Sequence, residues 1–220
     1  MRHKWVFVLL AALAVGTVSA FQTVKPPLGL QQGGRPPFPP QSGTAYFNLD
    51  YAPGAPGTPG TMQSLDALVE GSSLIVEGYV QSVQTPFVDG PFLHTDVIVL
   101  VSRVLKGSIQ ENQVIISQAG GTLGQFTQMT DDYEILKQGE HVVLFLTKNT
   151  RTNDMNGKPL PVYAGIPRLA ITGNFVGLFR ERGGKGDLSH GTPAQLRNIY
   201  QGVDLQQVLN DVSARVSAGK

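Results

Sequence analysis

Nine of the fifteen prolines in this 220-residue chain fall between residues 22 and 61, together with seven of its 26 glycines. Proline fixes φ and removes a hydrogen-bond donor, and glycine raises the entropy lost on ordering. The stretch is therefore expected neither to build a strand ladder nor to repay the cost of packing. With only Lys25, Arg35 and Asp50 charged, residues 21–61 read as a disordered, extended spacer rich in polyproline conformation. Proline-rich runs also dock into aromatic grooves, and Phe38, Tyr46 and Phe47 keep that use open. Glycine at every third position is confined to Gly54, Gly57 and Gly60 and is not sustained through the stretch, which excludes collagen. Folding is left to residues 62–220, a length that buries a stable core without staples.

Ahead of the spacer, Arg2, His3 and Lys4 precede an apolar run from Trp5 to Val15, and Val18-Ser19-Ala20 carries the small-residue spacing of a signal-peptidase site. Residues 1–20 are expected to be a cleaved signal peptide, because the apolar run is shorter than the roughly 20 residues of a membrane span. Loss of Arg2 and Lys4 leaves 15 basic residues against 16 acidic. The expected location is the periplasm or the extracellular space, and no later segment reads as a membrane span.

The chain has no cysteine. That excludes a disulfide scaffold, a thiolate zinc site, a cysteine nucleophile and a lipid-modified N-terminal cysteine. Balanced charge without a basic stripe argues against nucleic acid as a partner.

From Met62 the pattern becomes densely apolar. Ser64 is placed to cap a short helix carrying Leu65, Leu68 and Val69, with Gly71 as its stop. Leu74 to Gln81 alternates with a period of two, and Thr95 to Leu105 is apolar on both faces at its centre. Pro86, Gly90 and Pro91 mark a loop between them. A third strand spans Gln113–Gln118 and a fourth His141–Thr147, separated by a long connection that suggests a local excursion. Asn156-Gly157 signals a hairpin tip within 148–159, and two or more short strands are expected between Leu160 and Arg180. Thr192-Pro193 opens a short helix to Tyr200. Asp204 and Gln207 form a capping box for a last amphipathic helix with Leu205, Val208, Leu209, Val212 and Val216 in one stripe.

The candidate chemistry is sparse. His94 and Asp96 share a strand face and could meet His141 at one end of the sheet as a metal set, although closely spaced ligand pairs are absent and separate strand-end histidines are the expectation. Thr152, Asp154, Asn156 and Gly157 imitate half a calcium loop, but Tyr163 stands where the bidentate carboxylate belongs, so a turn is expected. Asp187, Ser189 and His190 are neighbours in a glycine-flanked loop, and adjacency does not make a triad. Asp131, Asp132 and Glu134 could act as paired carboxylates on a sugar. Arg180, Arg182 and Lys185 form a basic cluster diluted by Glu181 and Asp187, with Phe175 and Phe179 nearby as stacking partners; three cations do not make a nucleic-acid channel. No catalytic, cofactor-binding or metal residue is assigned, no cofactor is implied, and ligand-binding residues stay unassigned.

In order, SLIVEGYVQSV, TDVIVLVSRVLKGS, VIISQAGG, LKQGEHVVLFL and YAGIPRLAITGNF resemble a family of uncharacterised exported bacterial domains, over Leu65 to Phe179. Lys106, Gly107, Gly120, Gly121, Gly139, Glu140, Leu144 and Phe145 carry the likeness. Such domains are similar to the tissue-inhibitor-of-metalloproteinase and netrin modules. The resemblance implies a mainly β fold, a small OB-like Greek-key barrel with a short N-terminal helix and a C-terminal amphipathic helix. Those inhibitors ligate a protease zinc through an N-terminal cysteine, which this chain lacks, so inhibition by that route does not carry over. The expected function is an exported, non-catalytic binding domain whose partner is an envelope or extracellular protein or a glycan. The alternatives are a carboxylate-dependent glycan hydrolase and a structural surface-assembly protein; oligomeric state is left open.

Overall fold

The computed structural model of the chain describes residues 42–47, 61–163 and 165–219. The expected signal peptide and most of the expected spacer lie outside the described residues. In chain order the strands are β1 (Ser42–Phe47), β2 (Leu74–Val83), β3 (Phe87–Asp89), β4 (Phe92–Lys106), β5 (Gln113–Ala119), β6 (Gly121–Leu123), β7 (Gln125–Thr130), β8 (His141–Lys148), β9 (Arg168–Ile171), β10 (Leu178–Arg182) and β11 (Lys185–Leu188). The helices are α1 (Leu65–Gly71), α2 (Ala194–Tyr200) and α3 (Leu205–Ala218).

Strands β2, β4, β5, β9 and β8 pair in that order, and β8 pairs back onto β2 to close a five-stranded barrel. All of these pairings are antiparallel except β5 with β9. The third and fifth barrel strands along the chain are thus the parallel neighbours, which is the connectivity of the OB barrel. The expected mainly β barrel with terminal helices is the fold observed. Strands β10 and β11 extend the sheet sideways from β8.

Apolar residues on opposite faces of the same strands build two cores. Val76, Val97, Val99, Val114, Ile116 and Leu144 fill one. Ile75, Val143, Phe145 and Phe179 meet Leu68, Leu196, Val208 and Val212 of the helices in the other. Because β8 is buried on both faces, its sequence VVLFL runs apolar without alternation. Ser64 caps α1 by accepting from the Ala67 N–H. Asp204 caps α3 through the Gln206 N–H at 2.7 Å, while the Gln207 backbone N–H donates to the Asp204 carbonyl. The cap is real, but its side-chain bond goes to Gln206.

Two features correct the sequence reading, and a third fills in the excursion it expected. Ser42–Phe47, inside the expected spacer, is a strand paired in parallel with β7. It lies in a proline-free window between Pro40 and Pro53, where every N–H is available and Thr44, Tyr46 and Phe47 favour extended backbone. The loop at Pro86–Pro91 is a hairpin, because Gly90-Pro91 alone turns the chain and β4 starts at Phe92 rather than Thr95. The long connection after Ala119 holds the β6–β7 hairpin, and β11 follows a Gly183-Gly184 turn.

Candidate functional site

Antiparallel pairing of β4 with β5 sets His94 opposite Ala119 and Asp96 opposite Ser117, so the period of two places His94 and Asp96 on one face of the barrel wall. Over that face reach the β3–β4 hairpin from one side and the segment between β8 and β9 from the other. In OB barrels the second and third strands and these two connections frame the ligand face.

Two buried carboxylates fasten the segment down. Asp96, fully buried, receives both terminal nitrogens of Arg168, that at Nη2 at 2.6 Å, and the Ser117 hydroxyl at 2.5 Å. Arg168 also donates to the Pro161 carbonyl at 2.8 Å, joining three barrel strands to the overlying segment. Burial, reinforced by the Asp96 charge, pushes the Tyr163 phenol up to about 12. Asp89, 1% exposed, accepts from both terminal nitrogens of Arg151 at 2.6 Å and from the Met155 N–H at 2.7 Å. Burial alone would raise the Asp89 carboxyl; the Arg151 and Met155 donors outweigh it and hold the group below its ordinary value. Bidentate, charge-assisted pairs of this kind fix orientation as well as position.

His94 sits between the two pairs. Its Nε2 is 3.6 Å from Asp89 Oδ2, too far for a hydrogen bond, and its ring stacks on Phe87. Burial pushes its pKa below the ordinary 6.5, so the imidazole is neutral at pH 7. The unfolded chain therefore binds more protons at this site below pH 6.5 than the folded one, and stability must fall with acidification through that window. Asp89 has the same sign lower down: its folded pKa lies below 3.8, so its contribution is present above that value and lost as pH falls through the folded pKa. Urea unfolding across pH is expected to show both losses. His94→Gln is expected to remove the first and leave the second; a His94→Gln profile that overlays the wild type between pH about 7 and 5 would refute a buried neutral His94.

Between the two pairs lies a cavity of about 250 Å³. Phe87, His94, Tyr133 and Phe175 give it aromatic walls, and Asn149 and Asn174 give it amides. The Tyr133 hydroxyl donates to the Ala119 carbonyl and accepts from the Ala119 N–H, and burial raises its pKa. Its ring is thereby held in place.

Apart from Phe175, the other sequence candidates lie away from this cavity. His141 does not join His94 and Asp96: its Nδ1 is 2.5 Å from Glu181, its Nε2 is 3.0 Å from Glu77, and its ring stacks on Tyr79 at 4.4 Å. Among the described residues, no group of three acidic or histidine side chains is placed to hold a metal. Asp154 accepts from the Asn156 and Lys158 N–H groups, making the calcium-loop imitation a turn. Ser189 donates to the Asp132 carbonyl and Asp187 pairs with Arg182, while His190 is exposed, so the three form no triad. Asp132 accepts from Thr130, Glu134 pairs with Arg182 and Arg180, and Asp131 is exposed, which gives these carboxylates separate partners. Arg180 is buried against the Glu134 carbonyl, and burial lowers its pKa. Phe175 and Phe179 are core residues, with Phe175 also reaching the cavity.

Phe87 and Asp89 share the three-residue strand β3, but Arg151 lies in the loop after β8 and Arg168 opens β9, so no spacing signal links the cations to them and the four meet only in the fold. The sole local hint is Asp89 beside Gly90-Pro91, an acidic residue held in a tight turn. No known protein family and no curated protein matches the chain.

Proposed function

We propose that the protein is an exported, non-catalytic binding domain of the cell envelope or extracellular space, and that its ligand is an uncharged, hydroxyl-rich sugar unit of a glycan. The cavity between the two Asp–Arg pairs carries this reading. Asp89 and Asp96 are each neutralised within the protein by Arg151 and Arg168, and His94 is held neutral, so a charged ligand finds no uncompensated partner there. Aromatic faces with a few amides at the mouth suit the apolar faces and hydroxyls of a sugar ring.

Saturation-transfer NMR of the mature chain against neutral and anionic oligosaccharides tests this. Transfer to neutral sugars is expected, with Phe87→Ala weakening binding about tenfold, a loss of roughly 1.4 kcal/mol. Absence of transfer to every neutral sugar, or unchanged affinity in Phe87→Ala, would reject the reading.

A further inference from the structure

Strand β7 is the centre of a three-stranded sheet, with β6 on one edge and β1 on the other. The β1 ladder runs in parallel register over six residues, from Ser42 opposite Gln125 to Phe47 opposite Thr130. Ser42, Gly43, Thr44 and Tyr46 are exposed, and Tyr46 and its partner Met129 are 43% and 42% exposed. The strand is thus held chiefly by main-chain hydrogen bonds, as in recognition by strand addition. Without it, the β7 edge would present unpaired N–H and C=O groups.

Thirteen residues, 48–60, separate β1 from the domain, with prolines at 53, 56 and 59. Fully extended, such a tether reaches about 45 Å. A domain of this size has a radius of gyration of about 15 Å, so the tether spans its own edge and that of an abutting copy.

We propose that β1 and β7 form an exchangeable joint through which two copies of this chain associate, the Ser42–Phe47 segment of each adding to the β7 edge of the other. A second copy offers the sequence and register that the edge already accepts, so exchange conserves every ladder bond. Tethering sets the balance: a strand joined covalently to its own partner edge meets that edge at about mM effective concentration, so the closed monomer dominates in dilute solution and exchange grows as the chain is concentrated. The inference does not depend on the glycan reading, which concerns a different face.

The chain's lack of cysteine gives a clean test. Thr44 and Thr127 are register partners. Mature Thr44→Cys and Thr127→Cys chains, mixed in equal amounts and oxidised, are expected to give a covalent heterodimer. Its yield should rise severalfold between about 10 μM and about 1 mM. The Thr44→Cys/Thr127→Cys double variant is expected to close within one chain when dilute. Thr44→Cys with Gln125→Cys, two residues out of register, supplies the background. A heterodimer yield no higher than that background would overturn the joint. So would a yield that does not change with concentration, or a double variant that fails to close.

Discussion

Asp96→Ala is expected to destabilise the protein by about 3–5 kcal/mol, because it leaves the Arg168 guanidinium buried without its counter-charge. The Asp96 side chain is 0% and the Arg168 side chain 12% exposed, so water cannot replace the lost carboxylate as it would at a surface pair. The Ser117 hydroxyl loses its acceptor at the same time. Since domains are commonly stable by only about 5–15 kcal/mol, the variant should sit near the edge of folding. The cost belongs to the orphaned charge rather than to the pair itself. Asp96→Leu combined with Arg168→Met should therefore recover much of the loss, since an apolar pair can replace a buried ion pair at little cost or even with a gain. Urea unfolding with unchanged slope reads both effects. A single variant within about 1 kcal/mol of wild type, or a double variant as unstable as the single, would contradict this account.

The same pair shows where sequence reading ends. Barrel strands and helices were legible because burial imposes local period: Leu74 to Gln81 alternates, and Leu205 to Val216 recurs at helical spacing. Asp96 was also legible as a residue of interest, since its spacing of two from His94 puts both on one strand face. Its partner was not, because Arg168 lies 72 residues away and only closure of β5 onto β9 brings it over Asp96. Asp89 and Arg151, 62 residues apart, meet for the same non-local reason. Strand β1 was missed for a different one. Composition averaged over forty residues hid a proline-free window whose conformation depends on a partner edge, a tertiary override of local propensity. Conversely, Asp131, Asp132 and Glu134 cluster in sequence yet take separate partners, since β7 ends at Thr130 and the chain turns between them.

Two glycines separate backbone strain from crowding, and Gly107→Ala is expected to be the costlier by a wide margin. Gly107 and Gly139 adopt φ of +80° and +86°, the left-handed region where an added Cβ costs about 1–2 kcal/mol. Around Gly139 nothing lies within 4 Å of the position a Cβ would take, so Gly139→Ala should show that cost alone. At Gly107 the added Cβ would lie 2.4 Å from the Ser73 carbonyl oxygen, a backbone atom at the start of β2 that cannot rotate aside. Ser73 is itself tied by its N–H to the Leu146 carbonyl at 2.9 Å, so relief must shift the joint between β2 and β8. Crowding of that kind adds about 1–3 kcal/mol, placing Gly107→Ala near 2–5 kcal/mol in total. The difference between the two variants in urea measures the clash directly, because the φ term is shared. Equal losses would mean that the β2 entry yields freely and that the Lys-Gly turn after β4 is not what sets the register of Ile75 against Lys106.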